Sequence, residues 1–152
     1  MSLIRLISAS MVISFSMACA GDGISAPPVG FTHAAPTFEC GPADGPAVAI
    51  YLAHNPVTSQ TPSTPYVRIY LAQPVTAISG RTWTLAGTVS DGNAWFQSAP
   101  SNYEVATGGY MIVNSVGSDN TIEGTVDLTF PNAGHIQGGF RAAWLPSVSI
   151  CA

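Results

Sequence analysis

Four carboxylates in the body of the chain stand where they could do chemistry: Asp91, Glu104, Glu123 and Asp127. Glycoside hydrolysis needs two such groups facing one cleft, one as general acid and one as base or nucleophile. Acids near the 91–104 loop are therefore the basis of an enzymatic reading, a small hydrolase. With eight acids in the chain, such pairs also arise by chance on any sheet surface. The three histidines, at positions 33, 54 and 135, have no ligand spacing, and no Cys/His cluster accompanies them. No G-x-S-x-G marks a serine as the partner of a histidine, so no triad is legible. No glycine loop opening a helix is present to cradle a phosphate. No catalytic residue, metal ligand or cofactor is assigned on these grounds. The remaining chemistry is aromatic. Trp95 and Phe96 are adjacent in a turn-rich stretch, and Tyr103 and Tyr110 follow. Neighbours on a strand point to opposite faces, so one of Trp95 and Phe96 faces outward. Outward rings can stack on a carbohydrate or contact a protein partner. Trp95, Phe96 and Tyr103 are the candidate binding surface.

These rings must be carried by strands. The chain has 152 residues, enough for one domain with a real core. Hydrophobic residues make up 47% and charged ones 8%, which excludes a disordered acidic chain. There is no lysine, and the four arginines (Arg5, Arg68, Arg81 and Arg141) are scattered. Nucleic acid is therefore not an expected partner, because neutralising phosphates takes clustered positive charge. Fifteen glycines and twelve prolines fall between short apolar runs, as in a protein of many strands and turns.

The clearest signal is a hairpin over residues 121–144. Ile122, Gly124, Val126, Leu128 and Phe130 alternate with polar residues; Ile136, Gly138, Phe140, Ala142 and Trp144 form the second arm. Pairing Phe130 with Ile136 sets Val126 against Phe140 and Gly124 against Ala142, leaving space for Trp144. A register shifted by two residues, with a three-residue loop, keeps the same faces and is the alternative. On the outer face Arg141 would lie near Glu123, Thr125 and Asp127 as a solvated charge cluster. Further strands are expected over 45–54, 66–73, 82–89, 94–98, 109–116 and 147–151. Ser90-Asp91-Gly92-Asn93 reads as a tight hairpin turn joining 82–89 to 94–98. About eight short strands without an amphipathic helix predict an all-β fold. The expected architecture is an antiparallel β-sandwich, with a small β-barrel as the alternative.

The N-terminus has a different character. Arg5 precedes an apolar run, Leu6 to Met17, that is too short for a stable transmembrane helix, and Ala18-Cys19-Ala20 has the small-x-small form of a cleavage site. Ser16-Met17-Ala18-Cys19 resembles the lipobox of bacterial lipoproteins, with Ser16 where that family prefers Leu. The resemblance implies that Cys19 becomes the first mature residue and carries the lipid. Simple secretion with cleavage after Ala20, or a retained N-terminal anchor, are the alternatives. The hairpin pattern I-x-G-x-V-x-L-x-F then I-x-G-x-F-x-A-x-W is also similar to the last hairpin of small exported bacterial lipoproteins of unknown function.

The expected organisation is thus a signal peptide over 1–18, a lipidated N-terminus and flexible tether over 19–38, and a β-sandwich domain over 39–152. His33 falls in the tether and is expected to be solvated. Export places the remaining cysteines in an oxidising compartment, so Cys40 and Cys151 are expected to form a disulfide closing the domain. The expected location is the cell envelope, periplasmic or outer-membrane-anchored, with a freely secreted protein as the alternative. The expected partners are the membrane, through the lipid, and a carbohydrate or protein. The functional expectation is a binding or interaction module. The alternatives are the hydrolase above and a purely structural envelope protein.

Overall fold

The computed structural model describes residues 31–58, 62–87 and 92–146. They form nine strands: β1 (His33–Cys40), β2 (Pro46–Ala53), β3 (Tyr66–Leu71), β4 (Arg81–Thr84), β5 (Gly92–Ala99), β6 (Asn102–Val105), β7 (Gly108–Val116), β8 (Thr121–Phe130) and β9 (Gly134–Ala143). One sheet has the order β1-β2-β3-β5-β6 and the other β4-β7-β8-β9. Every neighbouring pair is antiparallel. The result is the expected sandwich. Its core follows from period-two patterning. Val48, Ile50, Leu52, Val67, Ile69 and Leu71 face inward from the five-stranded sheet. Met111, Val113, Ile122, Val126, Leu128 and Phe130 meet them from the other, all of them buried.

The 121–144 hairpin forms in the shifted register. Leu128 pairs with Ile136, Phe130 with Gly134, Gly124 with Phe140 and Ile122 with Ala142. The pairing of Phe130 with Ile136 is therefore corrected by two residues. The turn explains the shift: Pro131, Asn132 and Ala133 are followed by Gly134 at φ +77°, the left-handed residue that three-residue hairpins require. Packing supports the same register, because the Phe140 ring lies over Gly124. A Cβ on Gly124 would sit 2.7 Å from Phe140 Cζ and 2.5 Å from the Ile112 carbonyl oxygen. Trp144 does not lean into a gap beside Gly124; it stacks on Phe38, ring centroids 4.5 Å apart.

Three further expectations are corrected. The tether reading of residues 33–38 gives way to β1, which pairs along its whole length with β2. Phe31, Ala34 and Ala35 are buried, so the fold begins before residue 39 and His33 is a strand residue. β1 is an edge strand, which is why Pro36 is tolerated within it; the Pro36 carbonyl accepts from Leu145 N–H at 2.9 Å. Next, residues 82–89 and 94–98 do not make a hairpin. β4 is short and pairs with β7, whereas β5 begins at Gly92 and pairs with β3, so the connection crosses between the sheets. Buried Leu85 and exposed Gly87 (φ +68°) lead into that crossing, their N–H groups donating to the Gly109 and Ala106 carbonyls. Lastly, β6 forms where the sequence shows no alternation. The expected strand over 147–151 lies outside the described residues.

Candidate functional site

The strand pattern that fills the core also fixes what the outer face carries. On β3, inward Val67, Ile69 and Leu71 leave Tyr66, Arg68 and Tyr70 pointing outward. On β5, buried Ala94 leaves Trp95 and Gln97 on the outer face. Register aligns these residues in rows: Tyr66 opposite Gln97, Arg68 opposite Trp95, and Gln97 opposite Tyr103 on β6. Tyr66, Arg68, Trp95, Gln97 and Tyr103 line an open groove of ≈ 220 Å³. Tyr66 and Tyr103 flank Gln97 at two strand spacings, about 10 Å between backbones. The Gln97 side-chain N–H donates to the Ala99 carbonyl at 2.8 Å, which leaves its amide oxygen as an acceptor.

The groove is held by a charged network beneath it. Arg68 donates to Glu39, and the Tyr51 hydroxyl donates to the other Glu39 oxygen at 3.1 Å. The Arg68 guanidinium lies over the Trp95 ring at 4.9 Å and over the Tyr70 ring at 5.2 Å. The side chains of Arg68 and Glu39 are 25% and 18% exposed, so the pair is well shielded from solvent. Burial, the largest single influence, would lower the Arg68 pKa; the charge and hydrogen bond of Glu39, together with Tyr51, outweigh it and the net shift is upward. Burial, then the Glu39 charge, pushes the Tyr51 phenol up to about 12. Tyr70 is raised for the same two reasons in the same order. Small residues make room for these large ones: Ala47, Ala49 and Ala53 are buried on the outer side of β2. A Cβ on Gly41 would sit 3.0 Å from the Tyr70 hydroxyl.

Of the three expected surface residues, the structure brings two together. Trp95 and Tyr103 line the groove, and Tyr103 is 63% exposed. Phe96 is corrected: it turns inward and packs against the core between Phe31 (centroids 6.5 Å) and Phe130 (6.0 Å). Tyr66, Arg68 and Gln97 were not expected at the site. Their signal was present in the alternation of β3, whose polar parity carries two tyrosines and an arginine. The carboxylates of the hydrolase reading have other employment. Glu104 accepts from the Asn132 and Ala133 backbone N–H groups at 2.8 and 2.7 Å. Glu123 pairs with Arg141 at 3.0 Å and Asp127 with His135 Nε2 at 2.9 Å. Asp91 lies outside the described residues. Arg141 thus meets Glu123 as expected, but its second partner is Asp119, at 3.0 Å, and not Asp127. The Thr121 hydroxyl hydrogen bond and, more weakly, Arg141 hold the Asp119 pKa below its usual range. The His54 ring packs on Phe31 at 5.0 Å. Among the described residues no group of three or more His, Cys, Asp or Glu side chains converges to hold a metal ion. Cys40 ends β1, whereas Cys19 and Cys151 lie outside the described residues.

The groove therefore offers flat aromatic faces, hydroxyls and an amide oxygen around a charge-compensated guanidinium. No family model matches the chain, and no curated protein or solved structure is detectably similar to it.

Proposed function

We propose that the chain is an exported, lipid-anchored cell-envelope protein whose sandwich acts as a binding module through the outer face of the five-stranded sheet. One observation carries the binding assignment. Trp95 and Tyr103 share a groove with Tyr66 and Gln97, over an Arg68 fixed by Glu39 and two rings. A site whose central guanidinium is already held in place loses less entropy on binding, which is what a recognition surface needs. The hydrolase alternative is less well supported, since Glu104, Glu123 and Asp127 each serve a local bond and none lines the groove. Export and lipidation at Cys19 rest on the N-terminal sequence, and the Cys40–Cys151 disulfide on the redox compartment that export implies.

The intact mass of the protein from its native host, with and without reductant, tests the envelope assignment. A chain starting at Cys19 with an acyl modification is expected, gaining two hydrogens on reduction. A lipid-free chain starting at Gly21 would overturn the anchor, and an unchanged mass on reduction the disulfide. For the binding role, the full chain is freed of its lipid by Cys19→Ala; adding Tyr103→Ala is then expected to abolish its retention on native envelope fractions without lowering the melting temperature. Unchanged retention would overturn it.

A further inference from the structure

The ligand class can be narrowed from the groove's own chemistry; this rests on the binding reading above. We infer that the groove takes a neutral saccharide, one sugar ring lying between Tyr66 and Tyr103 above Gln97 and stacking on an aromatic face.

Four observations converge. The only cation of the groove, Arg68, is neutralised by Glu39 and covered by Trp95 and Tyr70. An anionic ligand would have to displace that pair or approach its carboxylate, and the chain carries a net charge of −4. A quaternary ammonium would suit an aromatic cage, but here the Arg68 guanidinium already occupies the Trp95 ring face. A stable protein interface buries about 800 Å² on each partner around a core of large apolar and aromatic side chains. Among the described residues the exposed large hydrophobics are Tyr103 and Tyr110, which belong to different sheets. Finally, the groove mixes flat rings with polar groups that need partners: the phenol groups of Tyr66 and Tyr103 and the free oxygen of Gln97. A proline-rich peptide would stack on the rings but brings no side-chain donors for that oxygen. A sugar presents C–H bonds to the rings and hydroxyls, donor and acceptor at once, to the edges.

Tryptophan fluorescence of the full chain provides the test. Trp83 and Trp144 are buried, so a saturable ligand-dependent change reports on Trp95. The probes are cellohexaose, chitohexaose and maltohexaose, with polygalacturonate, tetramethylammonium and a proline-rich decapeptide as the rival chemistries. At least one neutral hexaose is expected to give a saturable response that Tyr103→Ala weakens by about tenfold. Trp95→Phe keeps a stacking face and is expected to bind more weakly than wild type but to be retained by the same immobilised sugar. A response to the decapeptide, the polyanion or the cation, with none to the sugars, would overturn the saccharide and leave the groove as a binding site. No response to any probe would overturn the saccharide, and unchanged envelope retention on adding Tyr103→Ala to the lipid-free Cys19→Ala chain would overturn the binding reading as well.

Discussion

The two sheets present opposite solutions to the same problem, how to furnish an outer face. The five-stranded sheet carries Tyr51, Tyr66, Arg68, Tyr70 and Trp95 over small residues of β2, and shields the Arg68–Glu39 ion pair among the rings. The four-stranded sheet carries Thr82, Thr84, Thr125 and Gln137, and leaves the Arg141–Glu123 pair in water. Arg141 and Glu123 are 45% and 47% exposed, against 25% and 18% for Arg68 and Glu39. Arg68 and Arg141 both have carboxylate partners, and a count of salt bridges would favour the four-stranded face, where Arg141 meets Asp119 as well as Glu123. Solvent makes the difference. A shielded pair holds a geometry and is costly to break from one side, whereas an exposed pair is screened and contributes little.

Removing one partner on each face is the sharpest way to break the comparison. Glu39→Gln leaves Arg68 shielded and uncompensated, and is expected to lower unfolding free energy by about 2–4 kcal/mol, read from denaturant midpoints at constant slope. Next in size is Gly124→Ala on the four-stranded sheet. Its Cβ would meet the Ile112 carbonyl oxygen and the Phe140 ring, and a loss of about 1–3 kcal/mol is expected by the same measurement. That sheet is thus sensitive in its backbone packing and indifferent in its charges. A pH titration separates the faces again. Tyr51 has a folded pKa of about 12 against an ordinary value near 10. The folded state therefore binds the proton more tightly than the unfolded chain between those values. Stability is complete below pH 10 and is expected to fall as pH rises toward 12, in a Tyr51→Phe-sensitive manner. An equal loss in Tyr51→Phe would remove the phenol from the account. The smallest effect is expected for Glu123→Gln, within about 0.5 kcal/mol and absent in high salt. A larger loss would mean that exposure does not separate the two pairs.

The parts of the fold that sequence made legible are those where side-chain size alternates. β3 and β8 alternate bulky apolar with polar residues, and both their faces and their existence were readable. β1 was not. Its residues, HAAPTFEC, include two alanines and a proline, and nothing in that run distinguishes strand from tether; only the ladder to β2 and the burial of nearby Phe31 make it a strand. β6 is set by its pairing with β5 in the same way. The site was half legible for a related reason. Trp95 and Tyr103 are conspicuous by type. Phe96 is equally conspicuous, but parity relative to the core decides its direction, and that needs the inward position of Ala94. Glu39, which fixes Arg68, is 29 residues away from it in sequence, a distance no local pattern spans.

The grip of Glu104 on the β8–β9 turn has a consequence for the motions of the groove. β6 is a four-residue edge strand, the sort of element whose amides ordinarily exchange through local fraying. Glu104 fastens it to Asn132 and Ala133 at the tip of the longest hairpin in the opposite sheet. The groove wall carrying Tyr103 is therefore expected to open together with the hairpin rather than alone. Removing the Asn132 Nδ2 donor to Glu104, outside the groove, is expected to loosen the wall without touching a single residue that lines it.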